Sequence, residues 1–348
     1  MLKKTFIFII VAGLLFNLCA CKDVAKDTGE AISPKENNDF YDDESFVSLG
    51  EPTIKIAGEV QKEDMADLSK FKLHKIITKE TLLDKNGNTF IGAYQYRGYS
   101  LADLLKDAIP EKQNNDFNQV VDLYVLISNE KGEQAVFSWG EIFYPVDRNK
   151  IIIATEVAPI LPSKIDTSWS MPQTWKLVAG KDLITERNIS NPTKIEVVSI
   201  PDNYREHLKE PPFYSKSILM CTKTDTSIYL KLSERLNKRV YPVVFYGRGK
   251  GIHGVTNFEG FLLKDLLQHH IHLDQKLLRE GLIILSSIDG YRCAYSMSEI
   301  INRNDQSEAI LIEEGERNGG HYRLLMPSDF FSDRAIQAIS KIEIDYVQ

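Results

Sequence analysis

The chain has 348 residues, 43% of them hydrophobic, with 42 Lys and Arg against 49 Asp and Glu and a formal net charge of −7 at pH 7. Such a length accommodates two domains of about 100–200 residues each, and the acidic balance excludes nucleic acid as a partner, because phosphates demand a basic footprint. Of four cysteines only Cys221 and Cys293 lie beyond the N-terminal region, so no disulfide framework is expected; whether those two pair depends on geometry that sequence does not carry.

Lys3 and Lys4 precede an apolar run over residues 6–16, the arrangement of a secretory signal peptide. The run falls short of the roughly 18 apolar residues that span a bilayer, and Asn17, Lys22 and Asp23 close it. The junction Leu18-Cys19-Ala20-Cys21 resembles the lipobox of bacterial lipoproteins. That resemblance implies a signal peptide over residues 1–20, lipidation of Cys21, membrane lipid as a partner, and a place in the cell envelope, at the outer membrane or cell surface rather than in the cytoplasm. Residues 21–50 are rich in Asp, Glu, Asn, Lys and Ser and bury too little to offset their ordering entropy; they read as a flexible tether.

Two units follow, over residues 51–200 and 213–348, joined by a charged linker at 201–212 that ends in Pro211-Pro212. Runs at 54–57, 120–127, 151–153, 240–245 and 282–285 read as strands from their β-branched content. Leucines at helical spacing over 100–108 and 262–268 read as short helices, and Asp289-Gly290 as a hairpin turn. The units repeat one another. Tyr96-Arg97-Gly98 followed by Leu101-Ala102-Asp103-Leu104-Leu105 aligns with Phe258-Glu259-Gly260 followed by Leu263-Lys264-Asp265-Leu266-Leu267. Phe137-Ser138-Trp139-Gly140-Glu141-Ile142 aligns with Tyr295-Ser296-Met297-Ser298-Glu299-Ile300, and Lys194-Ile195-Glu196-Val197 with Lys341-Ile342-Glu343-Ile344. Each unit reads as α+β.

The order of these blocks, closing on Arg323-Leu324-Leu325-Met326-Pro327, resembles the molybdopterin-binding domain of the sulfite oxidase family. The resemblance implies an α+β fold of two tandem sulfite-oxidase-like domains with mixed sheets and short helices. It also implies a pterin-bound molybdenum held by a cysteine thiolate from the loop before the first helix of each unit. Neither unit has a cysteine there, and a soft thiolate is what such a metal takes from a protein. No cofactor is therefore expected; molybdopterin remains the alternative, held without a covalent metal ligand.

Candidate ligand contacts cluster in the second unit. The loop at 247–254 carries Arg248, Lys250 and His253 among glycines and could present amides and positive charge to an anion, or be a plain hairpin loop whose charges face water. Its Gly249-x-Gly251-x-x-Gly254 pattern lacks the helix that a dinucleotide site requires directly after it. Tyr322 and Arg323 follow a glycine pair and either, as the family resemblance implies, border a pocket for a planar or anionic molecule, or belong to a glycine turn followed by a strand with an exposed Arg. His269-His270-x-His272 reads as a polar helix end rather than a metal site, because adjacent histidines point apart. Trp169 lies in an insertion that the second unit lacks and is a candidate exposed contact, whereas Trp139, Trp175 and Tyr291 read as core. The reading that emerges is a membrane-anchored, non-catalytic ligand-binding or accessory protein with no metal site. The alternatives are a molybdopterin-dependent oxidoreductase and a structural subunit of an envelope complex with a protein partner.

Overall fold

The molecule is described by a computed structural model. It covers residues 41 and 44–346, apart from 86, 114–115, 163, 165, 201–212, 223–226, 233–235, 250 and 316–319. The segments read as signal peptide and linker, Cys21 and most of the expected tether lie outside these residues. Among the described residues no helix is long and apolar enough to cross a membrane.

In chain order the first half contains β1 (Val47–Ser48), β2 (Lys55–Gly58), β3 (Asp64–Met65), β4 (His74–Asp84), β5 (Gly87–Ser100), α1 (Leu101–Leu104), β6 (Leu123–Asn129), β7 (Gln134–Ser138), α2 (Trp139–Phe143), β8 (Ile151–Pro159), β9 (Lys176–Ala179) and β10 (Pro192–Ser199). The second contains β11 (Leu219–Thr222), β12 (Ser227–Tyr229), β13 (Lys238–Gly247), β14 (Gly251–Leu262), α3 (Leu263–Gln268), α4 (Gln275–Glu280), β15 (Gly281–Ser287), β16 (Arg292–Ser296), α5 (Met297–Ile301), β17 (Ile310–Glu313), β18 (Tyr322–Leu325) and β19 (Ile339–Tyr346).

The expected α+β class is wrong. Strand accounts for 47% and helix for 12% of the described residues, in four small sheets forming a propeller-like ring. The leucine-spaced segments do form α1 and α3, but α1 closes after Leu104, shortly before Pro110, and each helix is only four to six residues long. Helices this short plug sheet ends and cannot form a layer of their own. The described residues from Tyr41 onward fall in one compact unit.

The repeat in sequence is a repeat in topology. One sheet runs β3-β2-β10-β6-β7 and its counterpart β12-β11-β19-β15-β16, each with one parallel pair, β2 with β10 and β11 with β19. The other sheets run β1-β8-β5-β4, with β9 also on β8, and β13-β14-β17-β18. Gly98 and Gly260, matched in the repeat, sit where β5 lies against β8 and β14 against β17; a Cβ would lie 2.2 Å from Ile153 O in one and 2.7 Å from Leu311 O in the other. From Val47 the expected tether is already structure, since β1 pairs with β8 and Leu49 is buried.

Tyr124, Val136 and Ile200 of the first half pack with Leu282, Ile284 and Ala294 of the second in one apolar cluster. Beside it lies a buried polar seam. Ser138 caps α2 in a capping box with Glu141, and Ser296 caps α5 by accepting from Glu299 N. Arg187 grips Asp182 through Nε (2.8 Å) and Nη2 (2.7 Å) and reaches Glu141 with Nη1 (2.8 Å). Arg334 does the same with Asp329 (2.8 and 2.9 Å) and Glu299 (2.6 Å). Both guanidiniums are buried, where an ion pair persists only with its hydrogen bonds made.

Cys221 on β11 and Cys293 on β16 are both free thiols. Two strands, β19 and β15, separate them, so they stand about 14 Å apart at ~4.8 Å per strand, beyond the reach of a disulfide.

Candidate functional site

Alternation along β13 turns Tyr241, Val243 and Phe245 toward the sheet interior, where they join Phe258, Leu262 and Ile310. This β13–β14 hairpin forms one wall of an open cavity of about 670 Å³. Phe245, Arg248 and His253 line it from the hairpin, Glu314 and Arg323 from the end of β17 and from β18, Asp289 and Tyr291 from the β15–β16 turn, and Asp333 and Ile336 from the segment before β19. Three of the five sequence candidates, Arg248, His253 and Arg323, are therefore brought together. Tyr322 points elsewhere: its ring meets His321 edge-on at 4.4 Å and packs against the core. Lys250 lies outside the described residues.

The electrostatics differ from a bare cationic loop. Arg248 pairs with Asp333 (3.2 Å) and Arg323 with Glu314 (2.9 Å), while Asp289 accepts the Tyr291 amide (3.0 Å). Two arginines thus face three carboxylates, and the lining holds no excess of positive charge. The Arg323 guanidinium lies over the Phe245 ring, 4.6 Å from its centroid. Two buried polar atoms here have no partner: Nε of Arg323 and Oε2 of Glu314. A buried donor and a buried acceptor left unmade are each costly, and here the two belong to one ion pair on a cavity wall. Burial pushes the Tyr291 phenol far above its ordinary range, so it stays protonated.

The first half has filled the same place. By the register of the two hairpins Phe245 corresponds to Glu80, and Arg323, paired with Ile312 on β17, corresponds to Lys176, paired with Ala154 on β8. Glu80 accepts from Lys176 Nζ (2.9 and 2.7 Å), Tyr96 Oη (2.9 Å) and Asn188 Nδ2 (3.0 Å). The insertion closes over it: Tyr94 donates to Ser170 O (2.7 Å), and Trp169 donates to Ile160 O (2.8 Å) while packing with Met171 on Ile76, Tyr94 and Tyr96. Trp169 is therefore a lid residue, half-buried, rather than an exposed contact. Burial and the Glu80 carboxylate push the Tyr94 phenol up to about 12.

The donor set does not fit a thiolate-held molybdenum. No cysteine lines the cavity, Cys221 lies on β11, and Cys293 is fully buried in the core with its thiol pushed up to about 12 by that burial. Among the described residues no group of three or more His, Cys, Asp or Glu is placed to hold a metal ion. His269, His270 and His272 stand at the exposed end of α3, where His269 donates to Asp265 O.

Sequence reasoning missed Glu314, Asp333 and Asp289, because the three carboxylates come from separate turns and no local pattern joins them. The repeat held one signal. Asp333 corresponds to Glu186, which receives the amide of Leu83 at the tip of the first hairpin (2.8 Å) just as Asp333 receives Arg248 at the tip of the second. Comparison with models of known families finds none that matches the chain, and comparison with characterised proteins likewise finds no match.

Proposed function

We propose that this is an exported, lipid-anchored protein that binds a small planar polar molecule in the cavity of its second half without transforming it. The observation that carries the reading is an open cavity walled by the Arg323–Glu314 ion pair, the Phe245 ring and Tyr291, where the first-half counterpart is closed by Glu80, Lys176 and Trp169. A ring whose edge carries an acceptor beside a donor matches a guanidinium beside carboxylates, and Phe245 and Tyr291 supply aromatic surface. A simple anion would satisfy the donor alone and meet three carboxylates. The lipid anchor at Cys21 rests on the sequence at residues 18–21, and the tether gives the bound molecule a fixed place at the envelope.

Equilibrium dialysis with guanosine, riboflavin and pterin as planar probes, against inorganic phosphate and citrate as anions, tests this. At least one planar probe is expected to bind, and Arg323→Ala or Glu314→Ala should weaken it about tenfold or more, the worth of a charge-assisted hydrogen bond. Lys176→Ala, in the filled counterpart, should leave binding unchanged. Retention of phosphate or citrate with none of the planar probes overturns the reading.

A further inference from the structure

The second hairpin is apolar on both of its faces. Residues 240–246 of β13 read Val-Tyr-Pro-Val-Val-Phe-Tyr, a continuous run of the kind found in strands covered on both sides. The inner face is covered, as described above. The outer face is bare: Val240 and Val244 are each 55% exposed, Ile252 69% and Val255 76%, with Val244 paired to Val255 and Tyr246 to Ile252 across the ladder. Phe330, 53% exposed, extends the stripe, its ring 5.6 Å from that of Tyr246.

The first half serves as an internal control. Its hairpin places Lys75 where the second has Val240, opposite Arg97 and Glu259 respectively, and Lys79 where the second has Val244. Both lysines are exposed, so two positions of the stripe are met there by solvated side chains, while Phe90, 47% exposed, stands opposite Thr81 where Ile252 stands opposite Tyr246. The Val240 and Val244 part of the stripe is therefore a property of this hairpin and not a demand of the architecture.

Size and charge choose the occupant. The stripe amounts to a few hundred Å², below the roughly 800 Å² per partner of a standard protein interface. Pro242 lies within β13, the edge strand of its sheet, and removes a backbone donor from the ladder, which disfavours the addition of another strand. Over residues 238–262 the sequence carries two Lys, two Arg and one acid, Glu259, which is paired with Lys238 (3.5 Å); Arg239 at the base is exposed, and Arg248 at the tip pairs with Asp333 (3.2 Å). In an acidic chain this hairpin is by sequence a basic, apolar projection. We infer that the outer face of the β13–β14 hairpin docks on a bilayer surface, with Val244, Ile252 and Val255 entering the headgroup boundary and the net positive charge of the hairpin drawing it to anionic lipid. This inference does not depend on the ligand reading or on lipid at Cys21.

The test uses the chain from Lys22 onward, which lacks a lipidated cysteine and retains the compact body that begins at Tyr41. It is floated with vesicles of equal parts phosphatidylglycerol and phosphatidylethanolamine. Co-flotation is expected, and the Val244→Asp, Val255→Asp double variant should lose it by at least about tenfold. A Lys75→Asp, Lys79→Asp variant of the other hairpin should float as before. Because these side chains are exposed, circular dichroism should be the same for all variants. In a second measurement, a Val255→Trp variant should shift its emission to the blue when vesicles are added. Equal flotation of the double variant, no flotation of the parent chain, or a face that instead holds two copies together on size exclusion overturns the inference.

Discussion

Arg187 in the first half donates to Ser296 Oγ in the second at 3.0 Å, and this bond has a mirror partner: Arg334 in the second half donates to Ser138 Oγ in the first at 3.3 Å. Each arginine is held by carboxylates of its own half and spends one donor on the helix cap of the other. Ser138 in turn donates to Glu299 Oε2 at 2.6 Å. The seam is thus a polar circuit within an apolar surround, in which Glu299 Oε1 meets Arg334 as an ion pair without a hydrogen bond.

Arg187→Met and Arg334→Met should each destabilise the body by about 3–5 kcal/mol, because removing one partner leaves buried carboxylates uncompensated. Urea unfolding followed by tryptophan fluorescence and by circular dichroism should show one coincident transition in the parent chain. All three tryptophans lie in the first half. A tryptophan transition that stays in place while Arg334→Met lowers only the dichroism transition would show that the seam does not couple the halves.

The same seam sets a pH dependence. Burial raises the carboxyls of Glu141, Asp182 and Asp329 above their ordinary values, against the pull of Arg187 and Arg334. A group whose folded pKa is raised contributes stability that is complete below its unfolded value and is lost as pH climbs through the folded one. The seam's share of stability should therefore decline as pH rises from the ordinary carboxyl range, against the opposite contribution of Asp103 and Asp305, whose carboxyls are held low, and Glu141→Gln should lose part of that decline. Denaturation midpoints of the parent and of Glu141→Gln across a pH series measure it; a variant whose midpoint runs parallel to the parent's at every pH contradicts the assignment.

Gly98→Ala and Gly260→Ala should each cost about 1–3 kcal/mol or more, as overpacking does. The cause is contact with a neighbouring strand's carbonyl and not backbone conformation, so alanine at exposed Gly249, with nothing within 4 Å, should be nearly neutral. Thermal unfolding of the three variants separates these outcomes.

In the chain from Lys22 onward, Cys221 should react with a disulfide reagent in the native state, because it is half-buried near the start of its sheet. Cys293 should react only on unfolding, since its fully buried thiol, pushed up to about 12, supplies almost no thiolate at neutral pH. Two equally fast thiols would refute this placement.

The repeat was legible because its blocks carry structural duties: Gly98 and Gly260 permit the close approach of a neighbouring strand, and Ser138 and Ser296 cap helices. The fold class was not, because leucine spacing announces a helix without stating its length, and α1 and α3 stop after four and six residues. Arg248, His253 and Arg323 could be singled out as charges among glycines. Their partners could not, since Glu314 and Asp333 meet them only after the sheets have closed. Arg187 and Arg334 carried no local motif at all, and only the alignment of the halves pairs them.

The crossed serines also bear on how such a chain can change over generations. An unlinked copy of either half would present a buried guanidinium with no foreign helix cap to meet and an apolar flank open to water. Once duplicated and sealed in this way, neither half can be shed or exchanged alone. Sequence drift is left to the places that the circuit does not touch, and there one half has plugged its recess while the other has kept it open.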